Sequence, residues 1–502
     1  MAIYIAARMS RRPSDDQHVD VIVVGAGMAG LSAAALLAQQ GYRILVVEHH
    51  DRPGGCMTSW VRKPRDRGRI ARRFVFDAGV QDISGLSAQA PVQHLLAQLD
   101  EENGLQWLPV QHRYVINGTS IDLPRHWTAL EQLLCSRFAD EAQGISAFLR
   151  EIRLIYDELY AGMRAADYRP VAQLTPLAQA DWSRQFRYAA QAAGQPYVEL
   201  LRRHIRNPTL ISLFSILSEY VTNDPACLSL TDMVPLFGYY IGGGFYPAGG
   251  AQKLPDLLCG FIRRHHGEIR LKCRAERFIL RDGAIAGIEL ASGQSVHAPV
   301  VISNADIAAS HGAMLGPYQL PPRYRQRLKQ LKRGPTAILI NFGLDRIPDM
   351  PARVFVEQDG LIFGLGNPSA IDPSLAPPGH AALSLLHLLP EDEASSWFEL
   401  GDREYESAKA ACAETLIAAA GKVIPDLDRH IVHHEVAAPP TFRHYIQAEN
   451  GSIYGAARGQ WCPGVKSPVP GLFLAGAGTA TGPGVEAAVL SGIHAAHAIM
   501  DR

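Results

Sequence analysis

The sequence predicts an α/β fold with a parallel sheet, because apolar runs followed by glycine turns stand at both ends of the chain. Residues 21–24 and 44–48 form two such runs near the start, residues 300–303 form another, and residues 472–475 form one near the end. Strands of a parallel sheet are buried on both faces, so they are apolar along their whole length. Segments distant in sequence are therefore expected to share one sheet.

The first segment has the organisation of a nucleotide-binding unit. The strand at residues 21–24 is followed by a glycine turn, a helix at residues 31–40 rich in Ala and Leu, and Gly41 just past the helix end. The next strand ends in Glu48. This order of strand, turn, helix, strand and acid is the βαβ unit that binds dinucleotides.

Each residue type in this unit has a physical role. Gly25 permits a tight turn, Gly27 lets the backbone approach a pyrophosphate, and Gly30 allows the helix to pack closely on the strand. The start of the helix offers N–H groups and a partial positive charge to the phosphates. Glu48 can accept hydrogen bonds from a ribose diol, whereas a 2′-phosphate would meet a like charge.

A second glycine-rich turn lies at the other end of the chain. Residues 471–479 read Gly-Leu-Phe-Leu-Ala-Gly-Ala-Gly-Thr, and a second helix is predicted to begin near Gly484. A single turn of this kind indicates a dinucleotide. Two of them at opposite ends of 502 residues indicate one FAD held by both ends of the chain.

The middle of the chain differs from both ends. Residues 125–235 have Leu, Ala, Arg and Gln at helical spacing and predict a helical cap, and residues 276–297 predict a β-meander with a turn at Asp282-Gly283. The chain therefore leaves and re-enters the nucleotide domain. We expect that domain at residues 18–85, 246–310 and 466–502, and a substrate domain at residues 86–245 and 311–465.

Composition excludes several classes of protein. Apolar residues make up 47 % of the chain, charged residues make up 19 %, and the net charge is −1, so nucleic acid is not an expected partner. The seven cysteines stand singly, which favours free thiols in a reducing, cytoplasmic setting. No metal site is predicted, because the histidine pairs lack a third ligand at suitable spacing.

Further segments carry a family resemblance. Asp51-Arg52-Pro53-Gly54-Gly55 follows the second strand, and Asp77-Ala78-Gly79 follows soon after. Other matching segments are residues 245–250, 300–306, 441–455 and 471–485. Together they resemble the flavin-binding amine oxidase and phytoene desaturase superfamily, and within it the carotenoid desaturase, carotene isomerase and retinol saturase group. The resemblance implies a discontinuous, glutathione-reductase-like Rossmann FAD domain and a mixed α+β substrate domain with a helical cap.

The motifs and the resemblance together give a set of candidate site residues. Those expected to contact FAD are Gly25, Ala26, Gly27, Met28, Ala29, Gly30, Glu48, His49, Gly54, Gly55, Cys56, Ala78, Gly79, Ala275, Asn304, Gly476, Ala477, Gly484 and Val485. The family often has Arg or Lys where Cys56 stands; we expect a packed thiol there, with a covalent flavin link as the alternative. No catalytic base is evident. The candidates for a catalytic role are Tyr454, Arg443 and His444, and Arg443 and His444 are expected to line the substrate cavity.

The resemblance also implies the reaction. It is an FAD-dependent oxidation or reduction at a C–C bond of a long apolar polyene or isoprenoid, and in a desaturase hydride leaves an allylic carbon for flavin N5. A redox-neutral cis–trans isomerase, a saturase, an amine oxidase and a non-enzymatic prenyl-binding protein are the alternatives. The acceptor that reoxidises the flavin stays open.

A basic hairpin precedes Phe74. Its basic residues are Arg62, Lys63, Arg65, Arg67, Arg69, Arg72 and Arg73. It is either a solvated ribbon or a contact for anionic lipid or a carrier protein. Because no run of about 18 apolar residues occurs, we expect no transmembrane helix, and any association with the inner membrane would be peripheral.

Overall fold

The structure is a computed structural model that describes residues 19–64, 73–316 and 319–502. Its strands are β1 Val21–Val24, β2 Ile44–Val47, β3 Ser59–Arg62, β4 Phe74–Asp77, β5 Trp107–Val110, β6 His112–Ile116, β7 Thr119–Asp122, β8 Gly244–Pro247, β9 Glu268–Arg270, β10 Ala275–Arg281, β11 Ala284–Leu290, β12 Ser295–His297, β13 Val300–Ser303, β14 Thr336–Leu344, β15 Arg353–Gln358, β16 Leu361–Gly366, β17 Ala381–Leu389, β18 Ile431–Ala437 and β19 Leu472–Leu474.

The α-helices connect these strands or cover the sheets. They are α1 Met28–Gln39, α2 Pro91–Gln98, α3 Trp127–Arg137, α4 Ala142–Ala165, α5 Pro176–Gln185, α6 Arg187–Ala192, α7 Tyr197–His204, α8 Pro208–Ser215, α9 Leu230–Met233, α10 Phe237–Gly242, α11 Lys253–Arg264, α12 Ile307–Ala309, α13 Pro322–Lys329, α14 Glu391–Ser396, α15 Asp402–Gly421, α16 Leu427–His430, α17 Pro439–Ile446 and α18 Val485–Met500.

A parallel sheet joins three separated parts of the chain. Its strand order is β19-β13-β1-β2-β9, and every neighbouring pair is parallel. Val21 and Val23 of β1 pack with α1, α11 and α18 on one face. Ile22 and Val24 pack on the other face with the meander β10–β12. The predicted discontinuous α/β domain and its meander are therefore confirmed.

The second sheet is mixed, and the helical cap packs against it. Its order is β18-β14-β17-β16-β15-β6-β7, and β15 and β6 are its parallel pair. All nine residues of β14 are buried, which fits a central strand covered on both faces. The face turned away from the site packs against α15 and neighbouring loops in a separate core.

The cap is helical, as predicted. Helices α3, α4 and α6 to α10 surround their own aromatic core, in which Phe148, Phe214 and Phe237 are buried. Tyr114 of β6 and Phe355 of β15 join this core and attach the cap to the mixed sheet. The proposed domain boundaries stay predictions, although Val92 and Leu96 of α2, beyond the expected boundary at residue 85, pack into the core around α1.

In the part of the chain that the structure describes, no helix has both the length and the apolar character needed to cross a bilayer. The hairpin β3–β4 is formed, with Arg62 opposite Phe74. Arg62 pairs with Glu435 of β18, and Arg73 donates to the Ser374 carbonyl at 3.2 Å. Arg65, Arg67, Arg69 and Arg72 lie outside the described residues.

Candidate functional site

One continuous cavity of about 1000 Å³ lies between the two sheets and the cap. At one end its wall consists of the turns that follow β1, β2 and β19. At the other end the wall is formed by β14, β15 and β17 and by cap residues that include Leu217 and Tyr239. Crevices at the carboxyl ends of parallel strands are where open α/β sheets bind their ligands.

The turn after β1 holds two glycine segments together. Gly25 has φ +95°, a left-handed conformation that favours glycine, and its N–H donates to the Val47 carbonyl at 2.8 Å. The N–H of Gly54 donates to the Ala26 carbonyl at 2.7 Å. Gly27 and Gly55 line the cavity beside this contact, so two stretches of bare backbone face the same space.

Glu48 ends β2 with a buried carboxylate. It accepts hydrogen bonds from the Ala26 N–H at 2.7 Å and the His50 N–H at 2.9 Å, and His49 Nδ1 lies 2.9 Å from Oε1. Burial alone would raise the pKa of Glu48, but the hydrogen bonds from His49, His50 and Ala26 outweigh burial and the pKa lies below its ordinary value. The site therefore contains a fixed carboxylate at neutral pH.

Asn304 joins the two glycine turns. Its Oδ1 accepts from the Gly30 N–H at 3.1 Å, and its Nδ2 donates to the Ala475 carbonyl at 3.1 Å. A Cβ at Gly27 would lie 2.7 Å from Asn304 Oδ1, and one at Gly476 would lie 2.5 Å from Nδ2. Both positions therefore need glycine because the Asn304 amide occupies the space beside them.

The C-terminal turn leads into α18. Gly476 has φ +110°, and its N–H donates to Ser491 Oγ at 2.9 Å. Gly484 caps α18 with φ +93°, and no heavy atom lies within 4 Å of where its Cβ would stand. The first residues of α18 line the cavity, so a second helix N-terminus with its partial positive charge opens onto it.

A match to a protein family accompanies this geometry. Residues 28–500 match the model of the family described as flavin containing amine oxidoreductase. The chain belongs to this family. The predicted flavin enzyme class is thereby confirmed.

Relatives in the family are similar over nearly the whole chain. Prolycopene isomerase 1, chloroplastic, of an Oncidium hybrid cultivar is 26 % identical, with 99 % of this chain and 86 % of the relative covered. Human all-trans-retinol 13,14-reductase is 26 % identical, covering 92 % and 82 %. Phytoene desaturase (lycopene-forming) of Pseudescherichia vulneris is 24 % identical, covering 94 % and 96 %.

Solved structures share the fold. An oxidoreductase from Methanosarcina mazei superimposes with a TM-score of 0.66 at 16 % identity, covering 96 % of this chain and 100 % of the other. The cofactor of this flavoprotein is FAD, as predicted. The cavity fits FAD, because two helix N-termini, stretches of bare glycine backbone and a buried carboxylate face one continuous space.

The structure brings most of the predicted cofactor residues to this cavity. Those that line it are Gly25, Gly27, Met28, Ala29, Glu48, His49, Gly54, Gly55, Cys56, Ala78, Gly79, Ala275, Asn304, Gly476, Ala477, Gly484 and Val485. Ala26 and Gly30 do not line it, and their contact with FAD stays a prediction. The Ala26 side chain is buried in the core around α1, and the amides of Ala26 and Gly30 are already bound by Glu48 and Asn304.

Cys56 follows the double glycine and lines the cavity. Burial raises the pKa of its thiol to about 11. Because the thiolate is the reactive form of cysteine, this environment suits a packed thiol better than a covalent link to a cofactor.

Asp77 fixes the segment that leads to Ala78 and Gly79. Its carboxylate accepts from Ser59 Oγ at 2.5 Å, from the Tyr246 hydroxyl at 2.5 Å and from the Ala251 N–H at 3.2 Å. Burial raises its pKa and hydrogen bonding opposes that effect. Asp77 therefore ties the Tyr-Pro-Ala-Gly-Gly segment to β4, and Asp372 holds the same segment through the Gly249 N–H at 2.6 Å.

Only one of the three catalytic candidates faces the cavity. Tyr454 lines the cavity, with its ring edge-on to Tyr220 at 5.9 Å. Arg443 and His444 are exposed, and the Arg443 guanidinium stacks on Phe398 instead. Their predicted place in the cavity is wrong, because a helix turns about 100° per residue and Phe442 and Ile446 occupy the inward face.

Sequence reasoning missed a mostly polar row on the mixed sheet, of which Glu435, Asn341 and Arg353 line the cavity. Strand register aligns the row across neighbouring strands of the mixed sheet, in the order Glu435, Asn341, Ser384, Gly366, Arg353 and His112. Asn341 and Arg353 are each 3 % exposed. One sequence signal could have revealed these residues. Each is a single polar residue within an apolar strand, as in Leu-Ile-Asn-Phe and Ala-Arg-Val-Phe.

Among the residues that the structure describes, no cluster of His, Cys, Asp and Glu side chains could hold a metal ion. The histidines near the site have other partners. His49 contacts Glu48, and His433 stacks on Phe76 with ring centres 6.1 Å apart.

Proposed function

We propose that this chain is an FAD-dependent oxidoreductase that desaturates a C–C bond of a long apolar polyene or isoprenoid. The observation that carries the proposal is the apolar half of a cavity that is continuous with the two glycine turns. Its wall includes Leu217, Leu236, Leu339, Phe355 and Leu386. The relatives named for lycopene, prolycopene and retinol support the same class of substrate.

FAD, when bound, supplies the two-electron acceptor of this reaction. The chain's contribution is to bind, orient and exclude water. In the proposal the N-terminus of α1 faces the pyrophosphate, Glu48 accepts from the adenosine ribose, and the N-terminus of α18 stabilises negative charge on the reduced ring. The apolar side chains hold the hydrocarbon in one orientation and keep the site dry.

A redox-neutral isomerase is the second candidate, and the relative named prolycopene isomerase favours it. A saturase is the same transfer in reverse, and the relative named retinol 13,14-reductase supports that direction. An amine oxidase is disfavoured, because the relatives described above carry names that refer to prolycopene, retinol and phytoene. A prenyl-binding protein without flavin is disfavoured by the family and by the intact glycine turns.

The test is expression in hosts that accumulate a single polyene, with pigment analysis, alongside an anaerobic assay of purified protein. Desaturation adds double bonds and leaves the flavin reduced. Isomerisation requires dithionite-reduced enzyme and releases no reducing equivalents, and saturation consumes reduced flavin. No change in any polyene by either form of the enzyme would contradict the proposal.

Peripheral contact with the inner membrane is a further part of the proposal. Trp60, Arg62 and Tyr445 line the cavity and belong to its outer rim, since Tyr445 is 53 % exposed and the Arg62 side chain 47 %. An insoluble substrate would then enter beside the basic hairpin. Replacing the hairpin arginines with glutamine is expected to reduce flotation with anionic liposomes, and unchanged flotation would exclude lipid contact there.

A further inference from the structure

A cluster of buried polar side chains lies inside the apolar half of the cavity. Arg353 is 3 % exposed, and its guanidinium lies 4.2 Å from the ring centre of Phe355. Its Nη2 donates to the Tyr220 hydroxyl at 2.8 Å, and its Nε lies 3.6 Å from Asp82 Oδ1. Arg353, Tyr220 and Asp82 all line the cavity.

Part of this guanidinium has no hydrogen-bond partner. Nε and Nη1 are buried and bonded to no acceptor among the described residues. A buried donor on a charged group that lacks an acceptor destabilises the folded protein. The Tyr220 hydroxyl accepts from Arg353, so its own proton is free to be donated. The Arg353–Tyr220 end of the cavity therefore presents unmet donors, and the carboxylate of Asp82 lies beside them.

The surrounding backbone is shaped to admit this cluster. A Cβ at Gly364 would lie 2.6 Å from Arg353 Nη1, and one at Gly244 would lie 1.7 Å from Asp82 Oδ2. His112, whose side chain is 1 % exposed, holds Asp82 from behind with Nε2 2.7 Å from Oδ2. Glycines on two different strands thus leave the space that the buried Arg353–Asp82 pair occupies.

The charge of the cluster limits what it can bind. One guanidinium faces one carboxylate, His112 contacts the same carboxylate, and Arg125 interacts with it electrostatically. The carboxylate is already held by His112 and faces the guanidinium, so within this pair the groups left without a hydrogen-bond partner among the described residues are the Arg353 donors. An sp² oxygen, in a carbonyl or a carboxylate, offers acceptor lone pairs in the plane that the guanidinium fork matches.

The row beside the cluster suits a hydrocarbon chain. Strand register places Ala437, Leu339, Leu386, Gly364 and Phe355 next to one another, two residues along from the polar row and on the same face. A long apolar molecule can lie across these strands with one end at Arg353.

We propose that the substrate carries a carbonyl or carboxylate oxygen at one end, and that Arg353 with Tyr220 binds this oxygen and selects the substrate. Arg353 and Tyr220 are then specificity residues, and Asp82 and His112 position the guanidinium. This inference deepens the proposed function and rests on it. A pure hydrocarbon would leave the buried donors unmet and would bind less tightly.

The test uses FAD-loaded protein and one polyene of fixed length that ends in a carboxylate, an aldehyde or a methyl group. Dissociation constants are read from the change in flavin absorbance or tryptophan fluorescence. The native chain is expected to prefer the carboxylate or the aldehyde to the methyl form by about tenfold to a hundredfold, the range for a hydrogen bond to a charged group.

Two sets of variants test whether Arg353 causes the preference for a polar end group. The double variant Arg353→Met with Asp82→Asn removes both charges together. Arg353→Lys keeps the positive charge but lacks the planar guanidinium that can donate two parallel hydrogen bonds. The first is expected to reduce the preference to near unity with little change for the methyl form, and the second to reduce it partly. Arg443→Lys is the control, since the Arg443 guanidinium stacks on Phe398 at 4.2 Å outside the cavity lining.

A milder variant covers the case in which the double variant does not fold. Tyr220→Phe removes only a hydroxyl and is expected to lower the preference severalfold. Tyr114→Phe is its control, since Tyr114 is buried against Phe355, at 4.8 Å, without lining the cavity.

The outcomes separate the two proposals. Equal affinity for all three end groups in the native chain overturns this inference and leaves the proposed function intact. A preference that survives in the Arg353 variants, with an altered flavin spectrum before any polyene is added, assigns Arg353 to the cofactor and also overturns it. Failure of every polyene to bind overturns both.

Discussion

Asn304 and Gly30 are joined by a hydrogen bond of 3.1 Å, from the Gly30 amide to the Asn304 Oδ1. The same side chain amide donates to the Ala475 carbonyl on the neighbouring C-terminal segment. A single residue from the middle of the chain thus sets the spacing of the two glycine turns at its ends.

Asn304→Ala is expected to loosen both turns. Two hydrogen bonds disappear, so the free energy of unfolding should fall by about 1–2 kcal/mol and FAD should dissociate about tenfold faster. Thermal unfolding and FAD release on dilution measure the two effects. Asn207→Ala, which removes the cap of α8 at Thr209 and Leu210, is the control and should cost similar stability without faster FAD release.

Glu48→Gln tests the fixed carboxylate. The pKa of Glu48 in the folded protein lies below its unfolded value of about 4.3, so its stabilising contribution is present above that value and is lost as pH falls through the folded pKa. The variant should be less stable by about 2 kcal/mol at neutral pH. Melting temperatures of both proteins from acid to neutral pH should converge as pH falls; a constant difference would contradict this account.

Cys56 is expected to stay a free thiol. Its pKa of about 11 leaves almost no thiolate at neutral pH, so acid denaturation should release all flavin from the polypeptide. Mass spectrometry of the denatured chain checks the prediction. A mass increase equal to bound flavin that disappears in Cys56→Ser would show the covalent link instead.

Tyr160→Phe tests how the cap is attached to the cofactor end. Tyr160 of α4 donates to Glu486 Oε1 at 2.7 Å, and Ser84 donates to Oε2 at 2.5 Å, while burial raises the pKa of Glu486. Loss of one donor should cost about 1–2 kcal/mol, speed hydrogen exchange in α4 and speed FAD release severalfold. Tyr197→Phe, which loses a bond to the Phe214 carbonyl within the cap, should cost stability without faster FAD release.

Local patterns made one half of the site predictable. The turn at Gly25, the acid at Glu48 and the helix start at Gly484 depend on short stretches whose backbone geometry requires those residue types. Ala26 and Gly30 belong to the same stretch, yet their amides are bound by Glu48 and Asn304, and these contacts come from the next strand and from a distant segment.

The other half depends on register and helix phase. Arg353 meets Asp82 because β15 pairs with β6 and the loop that follows β4 pairs with β8 at Ile83 and Phe245. No single stretch of sequence contains that arrangement. For α17 the sequence suggested contacts that the structure does not contain. Arg443 and His444 lie near Tyr454 in sequence, but the rotation of the helix turns both side chains outward.

Titration of the FAD-free protein with FAD, by calorimetry and visible absorbance, tests the central claim that both ends of the chain hold one flavin. The account predicts equimolar binding, a yellow protein, and comparable losses of affinity in Gly27→Val and Gly484→Val, which alter opposite ends of the chain. Protein that stays colourless with excess FAD, or that loses affinity in only one of these variants, would contradict it.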